Sequence, residues 1–72
     1  MAEVLTVDEK QAIIGAHKRN IEMDKYNLEL SLIEENSVAN PSEQIVSELQ
    51  LKINQASAKL SALDAELESL TE

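Results

Sequence analysis

Apolar residues in the second half of the chain recur at alternating steps of three and four. This spacing is typical of the a and d positions of a helix that packs lengthwise against another helix. It predicts an all-α protein that works through contacts between helices. The helix-two side of the predicted intramolecular seam consists of Val46, Leu49, Ile53, Ala56, Leu60, Leu63, Leu67 and Leu70.

A capping signal marks the start of a first helix. Thr6 is followed three residues later by Glu9, the pattern of a capping box, in which a hydroxyl and a carboxylate satisfy amide groups of the first turn. No proline occurs between Val7 and Glu35. We therefore predict helix one over residues 7–35.

A second signal marks a turn and another helix. Residues 36–40 favour turns and are followed by Pro41, which predicts Asn40 as the N-cap and Pro41 as the first helical residue. We predict helix two over residues 41–70. A short connection between two long helices implies one antiparallel, coiled-coil-like hairpin that spans residues 1–72.

Length and composition favour association between molecules. A chain of 72 residues buries a small fraction of its surface, and small domains commonly gain stability from disulfides, metals or self-association. Cysteine is absent and His17 is the single histidine, which leaves no disulfide framework and no thiolate metal site. Association is the remaining way to gain stability, most simply of two hairpins into a four-helix bundle.

The charge of the chain limits its partners. Fourteen acidic residues against six basic ones give a net charge of −8, which repels phosphate backbones and anionic lipid surfaces. We expect no direct binding of nucleic acid or membrane. The chain has no signal-peptide pattern and no apolar run of roughly 18 residues, so we expect a soluble cytoplasmic protein.

Helix one carries two apolar stripes, and either could pack against helix two. We assign the seam to the first stripe, named here the Tyr26 stripe, in a register where paired residue numbers add to about 79. That register places Tyr26 beside Ile53 and brings glutamates of helix one near lysines of helix two, as the pairs Glu29–Lys52 and Glu22–Lys59. The Tyr26 stripe consists of Ala12, Ala16, Met23, Tyr26, Leu30 and Ile33.

The second stripe, named here the Ile21 stripe, recurs every seven residues at Val7, Ile14, Ile21 and Leu28. In the first assignment it is exposed, and a helix that is apolar on two faces is expected to be sandwiched between neighbours. The predicted partner interface therefore consists of Val7, Ile13, Ile14, His17, Ile21, Leu28 and Leu32. The alternative is that the Ile21 stripe forms the seam and the face of Met23, Tyr26, Leu30 and Ile33 is exposed instead.

Catalytic motifs are absent from the sequence. His17 lies seven residues before Asp24 on one helix face, a spacing compatible with a proton-transfer pair but more common in a packed helix. The chain has no glycine-rich phosphate loop, no cysteine nucleophile and no serine with a base and an orienting acid. We expect no enzymatic activity, no cofactor, no metal and no small-molecule substrate.

The stretch of residues 25–36 (KYNLELSLIEEN), followed by an Asn-Pro turn and a heptad helix rich in Leu, Ala and Glu, resembles small uncharacterised helical-hairpin proteins of tailed phages of marine bacteria. The resemblance extends over the whole chain. It implies a viral or marine-microbial origin, in an infected cell or a virion, and a structural or accessory role. It implies no functional residues.

These features predict a non-enzymatic helical protein-protein interaction module. It is expected to self-associate as a dimer or higher oligomer, or to dock on another helical protein, in a structural, assembly or accessory role. The alternative is a small acidic inhibitor that neutralises a host protein, either by docking a helix in a groove or by mimicking nucleic acid.

Overall fold

Two α-helices make up the fold. The computed structural model describes residues 4–71, in which α1 spans Val7–Asn36 and α2 spans Glu43–Thr71. The helices pack side by side and antiparallel in a body of 59 × 19 × 14 Å. The prediction of an all-α helical hairpin is confirmed.

The capping box forms at the start of α1. The backbone N–H of Glu9 donates to Thr6 Oγ1 at 3.1 Å, and the Thr6 N–H donates to Glu9 Oε1 at 2.9 Å. The hydrogen bond from the Thr6 backbone N–H to the Glu9 carboxylate, and after it the Thr6 side chain, lowers the pKa of Glu9. Both bonds satisfy backbone N–H groups that the first helical turn leaves unpaired, and so they stabilise the start of the helix.

The start of α2 differs from the predicted one. Asn40 and Pro41 lie in the turn, and Ser42 is the residue that caps the helix, because its Oγ accepts from the Ile45 N–H at 3.3 Å. The Ser42 N–H donates to Glu35 Oε2 at 2.9 Å. This bond ties the last turn of α1 to the start of α2, so the helix begins two residues later than expected.

The seam of α1 also differs from the predicted one. Met23, Tyr26, Leu30 and Ile33 have exposed fractions of 55, 60, 39 and 65%, and Ala12 and Ala16 are exposed as well. The Tyr26 stripe is therefore not the seam. Ten residues of α1 are half-buried, and all but Lys10 and Glu29 follow a strict alternation of three and four that faces α2: Gln11, Ile14, Lys18, Ile21, Lys25, Leu28, Leu32 and Glu35.

Lys18 and Lys25 belong to this seam although both are charged. A lysine covers apolar surface with its four-carbon stem while its ammonium group reaches the edge of the contact. Lys18 does so and places its Nζ 2.5 Å from Asp64 Oδ1. The Tyr26 stripe is interrupted by Glu9 and Arg19, and the structure keeps both of these residues exposed.

The register shifts together with the seam. Residue numbers 18 and 64 add to 82, whereas the predicted register has a sum of about 79. Lys52 and Lys59 accordingly lie beside Asp24 in a shallow groove between the helices. Within residues 4–71, the predicted pairs Glu29–Lys52 and Glu22–Lys59 are not ion pairs.

The core of the hairpin is small. All eight predicted seam residues of α2 are buried or half-buried, but among the described residues only Ile53 and Ala56 are buried, with 7% and 8% of their surface exposed. The accessible surface is 5575 Å². A compact monomer of this mass exposes about 4,450 Å². The hairpin alone thus leaves roughly 1,100 Å² more surface in water than a compact fold would.

Candidate protein-protein interface

An unpartnered apolar row lies on the side of α1 opposite the seam. It consists of Met23, Tyr26, Leu30 and Ile33, and we call it the outer face. Steps of three, four and three residues place these side chains one above another on a helix, over a length of about 15 Å. The outer face is the exposed face that the alternative assignment of the seam predicts.

The helix sequence explains why α1 has two apolar sides. Its apolar residues are divided between the seam and the outer face, so α1 has almost no net amphipathicity, whereas α2 concentrates its apolar residues toward α1. No residue of α1 is buried. A helix of this kind is expected to have neighbours on both sides, and α2 covers one of them.

The structure divides the predicted partner interface. Ile14, Ile21, Leu28 and Leu32 are half-buried in the seam, so these four residues are not an available contact surface. The other three predicted residues are exposed but lie in the N-terminal half of α1, outside the outer face: Val7, Ile13 and His17.

The structure gives no supporting geometry for a proton-transfer pair of His17 and Asp24, which is the less favoured interpretation of their spacing. Among residues 4–71, no hydrogen bond or ion pair joins His17 to Asp24. The same part of the chain contains no group of three or more His, Asp or Glu side chains that could hold a metal ion. None of its helices is sufficiently long and apolar to cross a membrane.

The outer face is large enough to form the centre of an interface. With about 200 Å² for each fully exposed large side chain, its four residues expose roughly 400 Å² of mainly apolar surface. Removing that area from water would favour association by about 10 kcal/mol. This gain is comparable to the cost of association, roughly 4–15 kcal/mol, so stable binding also needs contacts around the row.

Acidic and amide side chains surround the outer face. Glu22 and Glu29 lie on one side of it, seven residues and about 10.5 Å apart. Asn20, Asn27 and Glu34 lie on the other side. Within the described range, none of the three carboxylates accepts a hydrogen bond or forms an ion pair.

The rim has two lysines near one of its sides: Lys18 lies four residues before Glu22 and, besides its hydrogen bond to Asp64, interacts with the charge of Glu22. Lys18 and Lys25 belong to the seam, and Lys52 and Lys59 line the groove next to Asp24 on the other side of the hairpin. Arg19 is exposed and lies one helical turn before Met23 at the N-terminal end of the outer face.

Other exposed apolar side chains do not form a comparable row. Val38 lies in the turn, Ile45 lies in the first turn of α2, and Leu51 lies one and a half turns further along α2. Single exposed side chains of this kind are normal on a protein surface. The outer face of α1 is therefore the main candidate for a contact surface.

A regular spacing in the sequence contains the signal for the correct seam. The a and d positions of α1 continue without a break from Gln11 to Glu35 if Lys18 and Lys25 are counted by their apolar stems. The Tyr26 stripe has larger apolar side chains but is interrupted.

Comparison with protein families, with curated proteins and with solved structures found no match to this chain.

Proposed function

We propose that this protein is a non-enzymatic helical interaction module that binds through the outer face of α1 in a structural, assembly or accessory role. One observation carries the proposal. Four large apolar side chains, Met23, Tyr26, Leu30 and Ile33, stand in an uninterrupted row on a helix whose other apolar side already has a partner.

The surface area of the hairpin supports this proposal. Its excess of roughly 1,100 Å² over a compact monomer is similar to the 800 Å² that each partner buries in a standard interface. Another helix laid along α1 would cover the outer face and part of its rim. The occupant is either a second copy or a different protein with a helical surface.

Neutralisation of a host protein is a second use that the same face supports. A short helix that fills a groove would present Tyr26 and its neighbours to the target. Mimicry of nucleic acid is less well supported, because Lys52 and Lys59 place two cations along one side of the hairpin. We therefore place the contact at an apolar row rather than at a row of carboxylates.

The decisive experiment combines sedimentation with a neutral probe. The probe is a helical peptide with leucine at its a and d positions and glutamine at the flanking positions. We expect the wild-type chain either to sediment as an oligomer or to bind this peptide. Tyr26→Asp should abolish whichever contact is found and leave the helicity by circular dichroism unchanged.

Leu51→Asp is the matched control, because Leu51 is exposed to a similar degree, 57%, but lies on α2. It should leave the contact intact. A monomeric chain that binds no peptide would overturn the proposal. Unfolding of Tyr26→Asp would also contradict it, because it would show that Tyr26 stabilises the hairpin itself.

A further inference from the structure

We infer that the outer face of α1 binds a basic amphipathic helix, in which lysine or arginine flanks an apolar stripe, in preference to a second copy of this chain. The inference rests on the proposed function, because it identifies the chemistry of the partner at the same face. It is carried by the acidic rim formed by Glu22, Glu29 and Glu34 around the apolar row.

The rim matches a basic helix in position as well as in sign. Glu22 and Glu29 are separated by one heptad, so they lie at the spacing at which flanking cations recur on a packed helix. Glu34 lies on the other side of the row, where it can meet a cation on the opposite edge of the partner. Their carboxylates form no ion pair within residues 4–71.

A second copy meets repulsion in both orientations. In an antiparallel pair centred on the outer face, flanking positions of the same kind meet, so Glu29 faces Glu29 of the second copy. In a parallel pair, Glu29 faces Glu34 of the second copy. Each copy also has a net charge of −8, and contact brings like charges within the screening length of about 8 Å.

The cations of the chain relieve this repulsion at Glu22, whose charge interacts with Lys18, but not at Glu29 or Glu34. Lys18 is held in the seam by Asp64, and Lys25 is half-buried in the same seam. Lys52 and Lys59 lie on the opposite side of the hairpin from Glu22 and Glu29. The remaining nearby cation is Arg19, at one end of the row. Rim charges of this kind determine the choice of partner more than the strength of binding.

The test uses three peptides that share the leucine stripe and differ only at the flanking positions, which are lysine, glutamine or glutamate. Binding to the full wild-type chain is measured by fluorescence anisotropy of the labelled peptides. We expect the lysine peptide to bind about tenfold more tightly than the glutamine peptide, and the glutamate peptide to bind most weakly. The difference should shrink as salt is added.

A triple substitution of the rim assigns the effect to these carboxylates. The variant Glu22→Gln, Glu29→Gln, Glu34→Gln should still bind the glutamine peptide but lose its preference for lysine. The matched control changes three exposed glutamates of α2, Glu48→Gln, Glu66→Gln and Glu68→Gln, and alters the net charge equally. The control should keep the preference. Glutamate and glutamine have similar helix propensities, so both variants should retain wild-type helicity, which circular dichroism checks.

The outcomes separate this inference from the proposed function. Binding of the glutamine peptide without any preference for lysine would overturn the inference and leave the interaction face standing. Equal loss of preference in the control variant would also overturn it, because net charge rather than the rim would then be responsible. A wild-type dimer that Tyr26→Asp dissociates would show that the occupant is a second copy.

Discussion

The Lys18 Nζ lies 2.5 Å from Asp64 Oδ1, and this ion pair joins the two helices across the edge of the seam. The hydrogen bond to Asp64 raises the pKa of Lys18. The stem of Lys18 is also part of the apolar contact, since the side chain is only 26% exposed. Lys18 thus contributes both to the packing and to the register of the hairpin.

Exchanging the two charges should test the register. Asp64→Lys places a second cation beside Lys18 and should lower the thermal unfolding midpoint. Lys18→Asp should lower it further, because the apolar stem is lost as well. The double variant with both changes should recover part of this loss, as measured by circular dichroism. A double variant no more stable than Lys18→Asp would show that the pair does not determine the register.

The same ion pair predicts a loss of stability at high pH. The pKa of Lys18 is raised above its ordinary value of 10.5, so the contribution of the ion pair is complete below that pH and declines as the pH rises through the raised value. We expect wild-type stability to fall more steeply above pH 10.5 than that of Lys18→Met. Tyr26 is present in both proteins, so its ionisation cancels in the comparison.

The small core makes Ile53 the most sensitive apolar position. Ile53 is 7% exposed, and truncation of a buried isoleucine to alanine costs about 2–4 kcal/mol. Ile53→Ala should therefore unfold at a clearly lower urea concentration than the wild type. Leu51→Ala should retain nearly wild-type stability in urea unfolding, because Leu51 is exposed. Equal stability of the two variants would show that Ile53 is not part of the core.

The capping box predicts a change in an individual titration. Thr6→Ala should destabilise the start of α1 by about 1 kcal/mol. The hydrogen bond from the Thr6 backbone N–H, and after it the Thr6 side chain, lowers the pKa of Glu9 below its ordinary value of 4.5, so the stability that comes from the ionised carboxylate is lost as the pH falls through the lowered value. In an NMR titration, Glu9 should have a midpoint below 4.5, and Thr6→Ala should raise it. A wild-type Glu9 midpoint at or above 4.5 would contradict the capping box.

Gly15 offers a way to stabilise the hairpin without touching any contact. It lies within α1, its φ is not positive, and a Cβ built at this position meets nothing within 4 Å. Glycine in a helix interior is less stable than alanine by about 0.5–1 kcal/mol. Gly15→Ala should therefore raise the free energy of unfolding by that amount in urea. A decrease would mean that another molecule approaches the backbone here.

The elements of the fold follow from local chemistry, which is why the sequence predicts them closely. Thr6 and Glu9 determine the start of α1 through hydrogen bonds within one turn, and the predicted and observed starts coincide at Val7. The start of α2 depends on a contact across the turn rather than on hydrogen bonds within one helical turn. The Glu35 carboxylate binds the Ser42 N–H, so a local capping pattern at Asn40 and Pro41 gives a helix start two residues too early.

The side of α1 that faces α2 depends on how long side chains pack. Sorting residues into apolar and charged classes favours Tyr26 and its neighbours for the seam, because Lys18 and Lys25 count as polar in such a scheme. The structure uses the stems of these lysines as apolar surface, and Asp64 neutralises the charge of Lys18. Placement of the outer face therefore required knowledge of side-chain geometry, although the presence of two apolar sides is visible in the sequence.

The hydrogen bond between Glu35 and Ser42 has a consequence for how the hairpin forms. It closes a loop of only a few residues, and short loops close in tens of nanoseconds. We therefore expect helix pairing to begin at the bend. The part of α1 that carries Leu30 and Ile33 lies nearest to it and should be among the first to pair with α2.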